Sequence, residues 1–277
     1  MNEPKLDFVI IGAQKSASSF VHFCLLDHPE VYIPEKEIPY FENPDYKKKD
    51  LTKIILASKE YKKHYKAIGI KRPNYFGKDE VPARIFKNNP NIKLIVVLRN
   101  PIERAISAYF HNIKYGFIPV INLNKGLLKI LNSDEIFLKN YPLSKSILEY
   151  GLYGKHLKKY LKFFERNQLK IILQEELIDN PIEKINSIYS FLNLKEHSSK
   201  NIDLQPAKVK YNYLYLRLST LRNKFIYSYS QNKTRISKKS KKSILDNVVN
   251  YFIIFILRIL SMVINFYQKP VISKKLK

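Results

Sequence analysis

The sequence predicts an α/β fold in which a central parallel sheet is flanked by helices, with a helical extension at the C-terminus. Three observations carry this reading. Short apolar runs of strand length recur along the first two-thirds of the chain. Stretches with helical spacing lie between them, and such alternation gives a parallel sheet covered on both faces. After about residue 205 the alternation stops, and basic and apolar segments take over. In a sheet of this kind, ligands sit beyond the C-terminal ends of the strands.

The elements follow in order. FVIIGA (8–13) is an apolar run ended by glycine, a buried strand. SSFVHFCLLDH (18–28) has helical spacing: Phe20, Phe23, Cys24 and Leu26 share a face, with Ser18 or Ser19 as N-cap. HPEVYIPEKEIPYFENP (28–44) carries four prolines and reads as a surface loop. AIGIKRPNYF (67–76) is a short strand ending at Pro73. IKLIVVLRNP (92–101) is the most strongly β stretch of the chain. It stops at Pro101 and leads into IERAISAYFHNIKYG, a helix with Gly116 at its end. Residues 117–148 carry no clear pattern. YGLYGKHLKKYLKFFERN (150–167) is an amphipathic helix and LKIILQEEL (169–177) a buried strand. NPIEKINSIYSFLNL (180–194) is a helix opened by Asn180 and Pro181.

Of the 277 residues 45% are apolar, enough to fill the core of one large domain, with or without an appendage. The single cysteine, Cys24, excludes an internal disulfide and any cysteine-cluster metal site. Its place on an apolar helix face marks it as packing. The polar opening MNEPKLDF runs straight into a strand without a secretory signal, so a cytoplasmic location is expected. The formal charge of +25 fits a nucleic acid, an anionic membrane or an anionic ligand as partner. It equally fits a composition rich in Lys, Ile and Asn and poor in Ala, Gly and Trp, in which the charge serves no partner. The placement of individual basic residues says more than their sum.

Three loops should converge at one end of the sheet, each with groups suited to anion chemistry. In GAQKSASS (12–19), Lys15 supplies a point charge where a strand turns into a helix. Ser16, Ser18 and Ser19 add hydroxyls to the free N–H groups of the helix start. The stretch departs from G-x-x-x-x-G-K-[ST], because Lys15 follows Gly12 too soon, and an N-capped helix with an exposed lysine is the plainer alternative. A nucleotide hydrolase often places a metal-binding aspartate at the end of a strand like 92–98, but here Arg99 and Asn100 stand there. Arginine suits a bidentate phosphate contact, and no Mg²⁺ ligand is evident. Ser107, on the following helix, adds a hydroxyl; a sheet-edge salt bridge and a helix-surface serine are the alternatives. In PEKEIPYF (34–41), Glu37 beside Lys36 is either a general base or a surface glutamate.

Taken together, VIIGAQKSASSFVHFCLLDHPEVYIPEKEIPYFEN and LIVVLRNPIERAISAYFHN resemble the sulfotransferases that use 3′-phosphoadenosine 5′-phosphosulfate (PAPS). The resemblance is to the branch containing the heparan sulfate sulfotransferases and many bacterial relatives. The family pattern runs I-I-G-x-x-K-x-G-T-[ST], L-x-x-H-P, K-E-x-x-F-F and then L-R-[ND]-P-x-x-R-x-x-S-x-Y. GLYGKHLKKYLKFFERNQLKIILQEELIDNPIEKINSIYSFLNL resembles the family's third quarter, so coverage is about 5–195. The resemblance implies a P-loop-like three-layer fold, with a PAPS-binding domain over 1–205 and an extension over 206–277.

It also implies roles for matching positions. Lys15, Ser16, Ala17, Ser18 and Ser19 would hold the 5′-phosphosulfate, and Lys15 would neutralise charge on the bridging oxygen as sulfate departs. Arg99 and Ser107 would bind the 3′-phosphate. Glu37 would take the proton from the acceptor, and Lys71, in IKRPNYF, would sit near the transferring group. His28 and Pro29 match a structural HP. The implied reaction is in-line sulfuryl transfer to a hydroxyl or amine of a carbohydrate or glycolipid, with lysines in place of a metal. This sequence departs from the pattern at Ala17 and Ser18, which stand for Gly-Thr, at Pro39 and Tyr40, and at Ile70 and Arg72 around Lys71. For the family's basic loop over the cofactor the only candidate is PAKVKYN, with Lys208 and Lys210.

Two other readings belong to different classes. A P-loop kinase or NTPase is opposed by the displaced lysine and by Arg99 at the strand end. A non-enzymatic basic protein binding membrane or nucleic acid is supported by the charge and the tail. No zinc-finger spacing or RNP-like aromatic motif marks a dedicated nucleic-acid module. In the tail, the basic run NKTRISKKSKKS (232–243) precedes VVNYFIIFILRILSMVINFY (248–267), apolar except for Arg258 and two asparagines. A spanning helix needs about 20 mostly apolar residues. The length qualifies, yet Arg258 at its centre argues against lipid on all sides. A helix packed on the domain or a partner is the first expectation. Peripheral contact of 232–267 with the anionic inner face of the cytoplasmic membrane is the second.

Overall fold

Strand β1 (Phe8–Gly12) is buried along its whole length. In the computed structural model, which describes residues 5–48, 50–56, 65–200, 211–230, 236–239, 243–264 and 271–273, the chain continues from β1 as follows. Helix α1 (Ser18–Leu26), strand β2 (Val31–Tyr32), helix α2 (Leu51–Leu56), strand β3 (Ala67–Lys71), helix α3 (Val81–Asn88) and strand β4 (Lys93–Leu98) come first. Helices α4 (Pro101–Lys114), α5 (Leu123–Leu131), α6 (Glu135–Asn140), α7 (Ser146–Glu149) and α8 (Tyr153–Tyr160) follow. Strand β5 (Leu169–Leu173), helices α9 (Gln174–Asp179), α10 (Pro181–Phe191) and α11 (Tyr213–Ile226), strands β6 (Tyr227–Tyr229) and β7 (Ile236–Lys238), and helix α12 (Ile244–Val263) complete it.

By contacts the chain forms two compact units, 1–100 with 152–206 and 101–151 with 207–277. In the first, five strands form one parallel sheet in the order β2-β3-β1-β4-β5. Alternate residues of the central strands go to opposite faces. Val9, Ile11, Ile70, Leu94 and Val96 pack with Phe41, Tyr75 and Tyr160. Phe8, Ile10, Ile95 and Val97 pack with Val21, Cys24 and Leu25 of α1 and Ile185, Ile188 and Tyr189 of α10. Both faces are therefore dry, which is why these strands read as continuous apolar runs. Cys24 is buried there, as its place on the helix face implies. His28 accepts from the Glu30 N–H through Nδ1, leaving Nε2–H to donate to Lys195 O at 3.0 Å. It thereby ties the end of α1 to the segment after α10.

Several sequence expectations are corrected. The 28–44 stretch is not all loop. Val31 and Tyr32 form the edge strand β2 in register with Ala67 and Ile68, and Phe41 is buried in the core. The prolines confine strand pairing to two residues. The N-cap of α1 is Ala17, without a side-chain cap, so Ser18 and Ser19 are its first two residues. The expected helix over 150–167 is regular only at α8, and the strand over 169–177 ends at Leu173, where QEELID turns into α9. The tail helix begins four residues early, because Ser243 and Asp246 form a capping box.

The second unit is helical apart from the antiparallel pair β6-β7, and the unassigned 117–148 stretch supplies α5, α6 and α7 to it. Its core gathers Ile106, Tyr109, Phe110 and Ile113 of α4 with Leu127, Phe137, Ile147, Tyr215 and Leu216. The last carbonyls of α4 are satisfied by distant side chains. Thr220 Oγ1 donates to Ile113 O at 2.8 Å, Asn223 Nδ2 to Lys114 O at 2.7 Å and the Tyr229 hydroxyl to Tyr115 O at 2.9 Å. Gly116, at φ 72, follows as the left-handed residue that ends such helices. Contacts thus join residues after 206 to α4.

Candidate functional site: the C-terminal end of the sheet

Because the strands are parallel, the segments after β1, β3 and β4 leave one edge of the sheet side by side. Gly12 closes β1 where nothing larger fits: a Cβ there would lie 2.6 Å from Phe76 Cβ and 3.2 Å from Pro73 O. The chain then makes a tight turn in which Lys15 and Ala17 both take φ 67. Ser16 is fully buried in this turn, and its hydroxyl has no hydrogen-bond partner among the described residues. Ser18 is buried, Ser19 exposed and Lys15 half-buried. A turn followed by the uncapped N-terminus of a nine-residue helix presents backbone N–H groups to an anion.

Lys71, the last residue of β3, pairs in register with Ile10 of β1 and is buried. Its Nζ donates to Ser19 Oγ at 2.8 Å and stands 3.5 Å from Glu37 Oε1. Burial pulls the Lys71 pKa down, and the Glu37 carboxylate works in the opposite direction. Arg72 grips two carboxylates. Its Nε and Nη2 donate to the two oxygens of Glu42, each at 2.9 Å, and its Nη1 donates to Glu37 Oε2 at 2.9 Å. Burial opposes the Arg72 charge, but Glu42 and Glu37 outweigh it and hold its pKa above the ordinary value. Glu42 is nearly inaccessible, at 7% side-chain exposure, whereas Glu37 keeps 37%. Glu42 is thus the anchor, and Glu37 is the carboxylate left open to a substrate.

The segment that carries Glu37 is pinned on both sides. The Ile38 N–H donates to Lys71 O at 3.1 Å. The buried Tyr75 hydroxyl donates to Ile38 O at 2.5 Å and accepts from the Phe41 N–H at 3.0 Å. His22 of α1 lies beneath, its Nε2 2.8 Å from Pro34 O. Burial, and then the charge of Lys71, lower its pKa to about 4, so it is neutral near pH 7 and donates to that carbonyl.

The structure therefore brings Ser19, Lys71 and Glu37 into one chain of contacts beside the Lys15–Ser18 turn. Arg99 lies half-buried just past β4, where its carbonyl accepts from the Tyr153 hydroxyl at 2.8 Å. Ser107 is buried in the second turn of α4, in the other unit. Lys208 and Lys210 lie outside the described residues. Sequence reasoning missed Glu42 and His22 and noted Arg72 only as a departure. Their signal was weak, since the 34–42 segment is irregular and gives no periodicity to place Glu42 opposite Arg72.

A family model described as the sulfotransferase domain matches residues 5–253. The chain belongs to the sulfotransferase family. As the resemblance implied, it is a transferase of the family whose sulfuryl donor is PAPS. The human bifunctional heparan sulfate N-deacetylase/N-sulfotransferase 2 is 31% identical over 200 residues, covering 68% of this chain and 22% of that protein. The mouse heparan sulfate glucosamine 3-O-sulfotransferase 5 is 29% identical over 252 residues, covering 88% of this chain and 68% of that protein. A crystal structure of a sulfotransferase from Alicyclobacillus acidocaldarius superposes with a TM-score of 0.62 at 24% identity, over 73% of this chain and 87% of that one. The fold is shared: a P-loop-like central parallel sheet flanked by helices. The family match runs past residue 205 into α12.

Proposed function

We propose that this sulfotransferase moves the sulfuryl group of PAPS to a hydroxyl or amine of a carbohydrate or glycolipid acceptor. The observation that carries the reading is the Ser19–Lys71–Glu37 contact chain beside a turn whose buried Ser16 hydroxyl lacks a partner among the described residues. That orphaned hydroxyl, the point charge of Lys15 and the uncapped start of α1 fit the terminal phosphosulfate. Bound there, PAPS supplies an activated sulfuryl group.

The residues then divide the work. Lys15 with Ser16, Ala17, Ser18 and Ser19 would hold the phosphosulfate, with Lys15 offsetting the charge that grows on the leaving phosphate oxygen. Lys71 would stabilise the equatorial sulfuryl oxygens from its buried position. Glu37 would accept the acceptor proton through the oxygens left accessible to solvent while the new S–O or S–N bond forms and the old S–O bond breaks. Arg72 would hold Glu37 in place without contacting substrate. Arg99 and Ser107 would recognise the 3′-phosphate, a role that rests on the resemblance. The two heparan sulfate relatives support a carbohydrate acceptor; one is named for N-sulfation and the other for 3-O-sulfation, so amine and hydroxyl acceptors are both tested.

The test uses radiolabelled PAPS with oligosaccharides bearing either free or acetylated glucosamine amines. Label should pass to a carbohydrate with the wild-type protein and not with Glu37→Gln. Equal transfer by Glu37→Gln would remove Glu37 as base. Sulfation of non-carbohydrate hydroxyls alone would overturn the acceptor class.

A further inference from the structure

Helix α12 has two apolar faces where an ordinary surface helix has one. Leu257, Leu260 and Ile264 pack against the core around Tyr215 and Leu216, and Ile253 on the same face is buried. At 100° per residue, Val248, Tyr251, Phe252, Phe255, Ile259 and Met262 form a second stripe roughly opposite the first. All six are exposed, Phe255 at 60% and Met262 at 84%. No helix among the described residues is long and apolar enough to cross a membrane. This outer stripe is therefore a surface apolar patch on a packed helix.

We propose that the outer face of α12 docks on an anionic lipid surface, lying in the interface with its aromatic stripe at the acyl boundary. Charge complementarity selects this occupant. Lys238, exposed, and Lys239 stand just before the helix, and in the sequence Lys233, Arg235, Lys241 and Lys242 belong to the same run. Lys269, Lys274, Lys275 and Lys277 follow the helix in the sequence, within a chain of formal charge +25. A polybasic segment beside an exposed apolar face is the pairing that anionic bilayers hold. Arg258, exposed, sits at the edge of the stripe, the position an arginine takes at a headgroup boundary. A second copy of the chain is the poorer occupant. Two-fold antiparallel pairing would set the basic run before one helix against the basic residues after the other.

The experiment uses the full chain and vesicles of phosphatidylcholine with or without phosphatidylglycerol. The chain has no tryptophan, so Phe255→Trp gives a single reporter. Its emission should shift to the blue on phosphatidylglycerol vesicles. The Phe252→Ser/Phe255→Ser/Ile259→Ser variant keeps every charge, yet should partition at least about tenfold more weakly, because each side chain loses its transfer into the acyl boundary. An unshifted emission from the Phe255→Trp variant, or equal binding by the triple variant, would reduce the interaction to adsorption by charge and overturn the proposal. A wild-type dimer that the triple variant breaks, without vesicle binding, would assign the face to self-association instead. Binding of 3′-phosphoadenosine 5′-phosphate by the triple variant checks its fold and separates this outcome from failure of the enzymatic reading.

Discussion

The end of the sheet and the outer face of α12 invert the usual distribution of residues in opposite ways. At the sheet end, Lys71, Glu42 and most of Arg72 are withdrawn from water, each against a partner of opposite charge. On α12, two phenylalanines, a tyrosine and a methionine face outward on a helix that already has a core-facing stripe. A buried charge or an exposed apolar patch is more informative than the reverse, because each carries a free-energy cost that the fold alone does not require. The difference lies in what completes each region. The buried charges complete one another and orient Glu37. The apolar stripe has no complement on its own helix.

The sharpest break in this comparison is chemical. Glu37→Gln keeps the size of the side chain but loses the base, so kcat should fall about 100- to 10,000-fold while nucleotide affinity is retained. A steady-state assay beside a nucleotide titration measures both. Next comes stability. Glu42→Ala strands the Arg72 guanidinium and should cost about 2 kcal/mol, below the range for fully buried pairs because Arg72 keeps Glu37 and some solvent. Phe255→Ala, on the exposed stripe, should stay within about 0.5 kcal/mol. Urea denaturation of the two variants reads the contrast, and equal losses would erase it.

His22 sharpens the same region through pH. Its folded-state pKa of about 4 lies below the ordinary 6.5, so between these values the unfolded chain binds more protons than the folded one. The contribution is complete above about pH 6.5 and is lost as pH falls toward 4. His22→Gln can still donate to Pro34 O and should flatten this loss by about 3 kcal/mol in denaturation curves across that window. A smaller effect than that of His22 belongs to Ala17. It takes a left-handed conformation that glycine adopts freely, so Ala17→Gly should stabilise the chain by about 1 kcal/mol in the same assay.

These details also mark what the sequence could reveal. Strands β1, β3 and β4 were legible to within a few residues because both faces of each are covered, which writes burial into the chain as unbroken apolar runs. Lys15, Glu37 and Lys71 were singled out through the family pattern as candidates, and the structure adds how Glu37 and Lys71 meet. Strand β2 was hidden by the prolines that flank it, Pro29 and Pro34, and the α9 turn by the apolar run before it. Helices α5 to α7 were hidden because Asn122 and Asp134, the caps of α5 and α6, lie among residues with no strong period. Arg72 and Glu42 were hidden for a different reason: an ion pair 30 residues apart in sequence leaves no local trace. The second face of α12 was visible only as high apolar content until its inward residues were known.

The proposed donor site recognises a phosphosulfate nucleotide by its 3′-phosphate. Calorimetric titration with 3′-phosphoadenosine 5′-phosphate, against ADP and without added Mg²⁺, tests it most directly. The first nucleotide should bind, ADP should bind much more weakly, and Arg99→Ala and Ser107→Ala should each narrow the gap. Equal binding of the two nucleotides, or binding of neither, would contradict it.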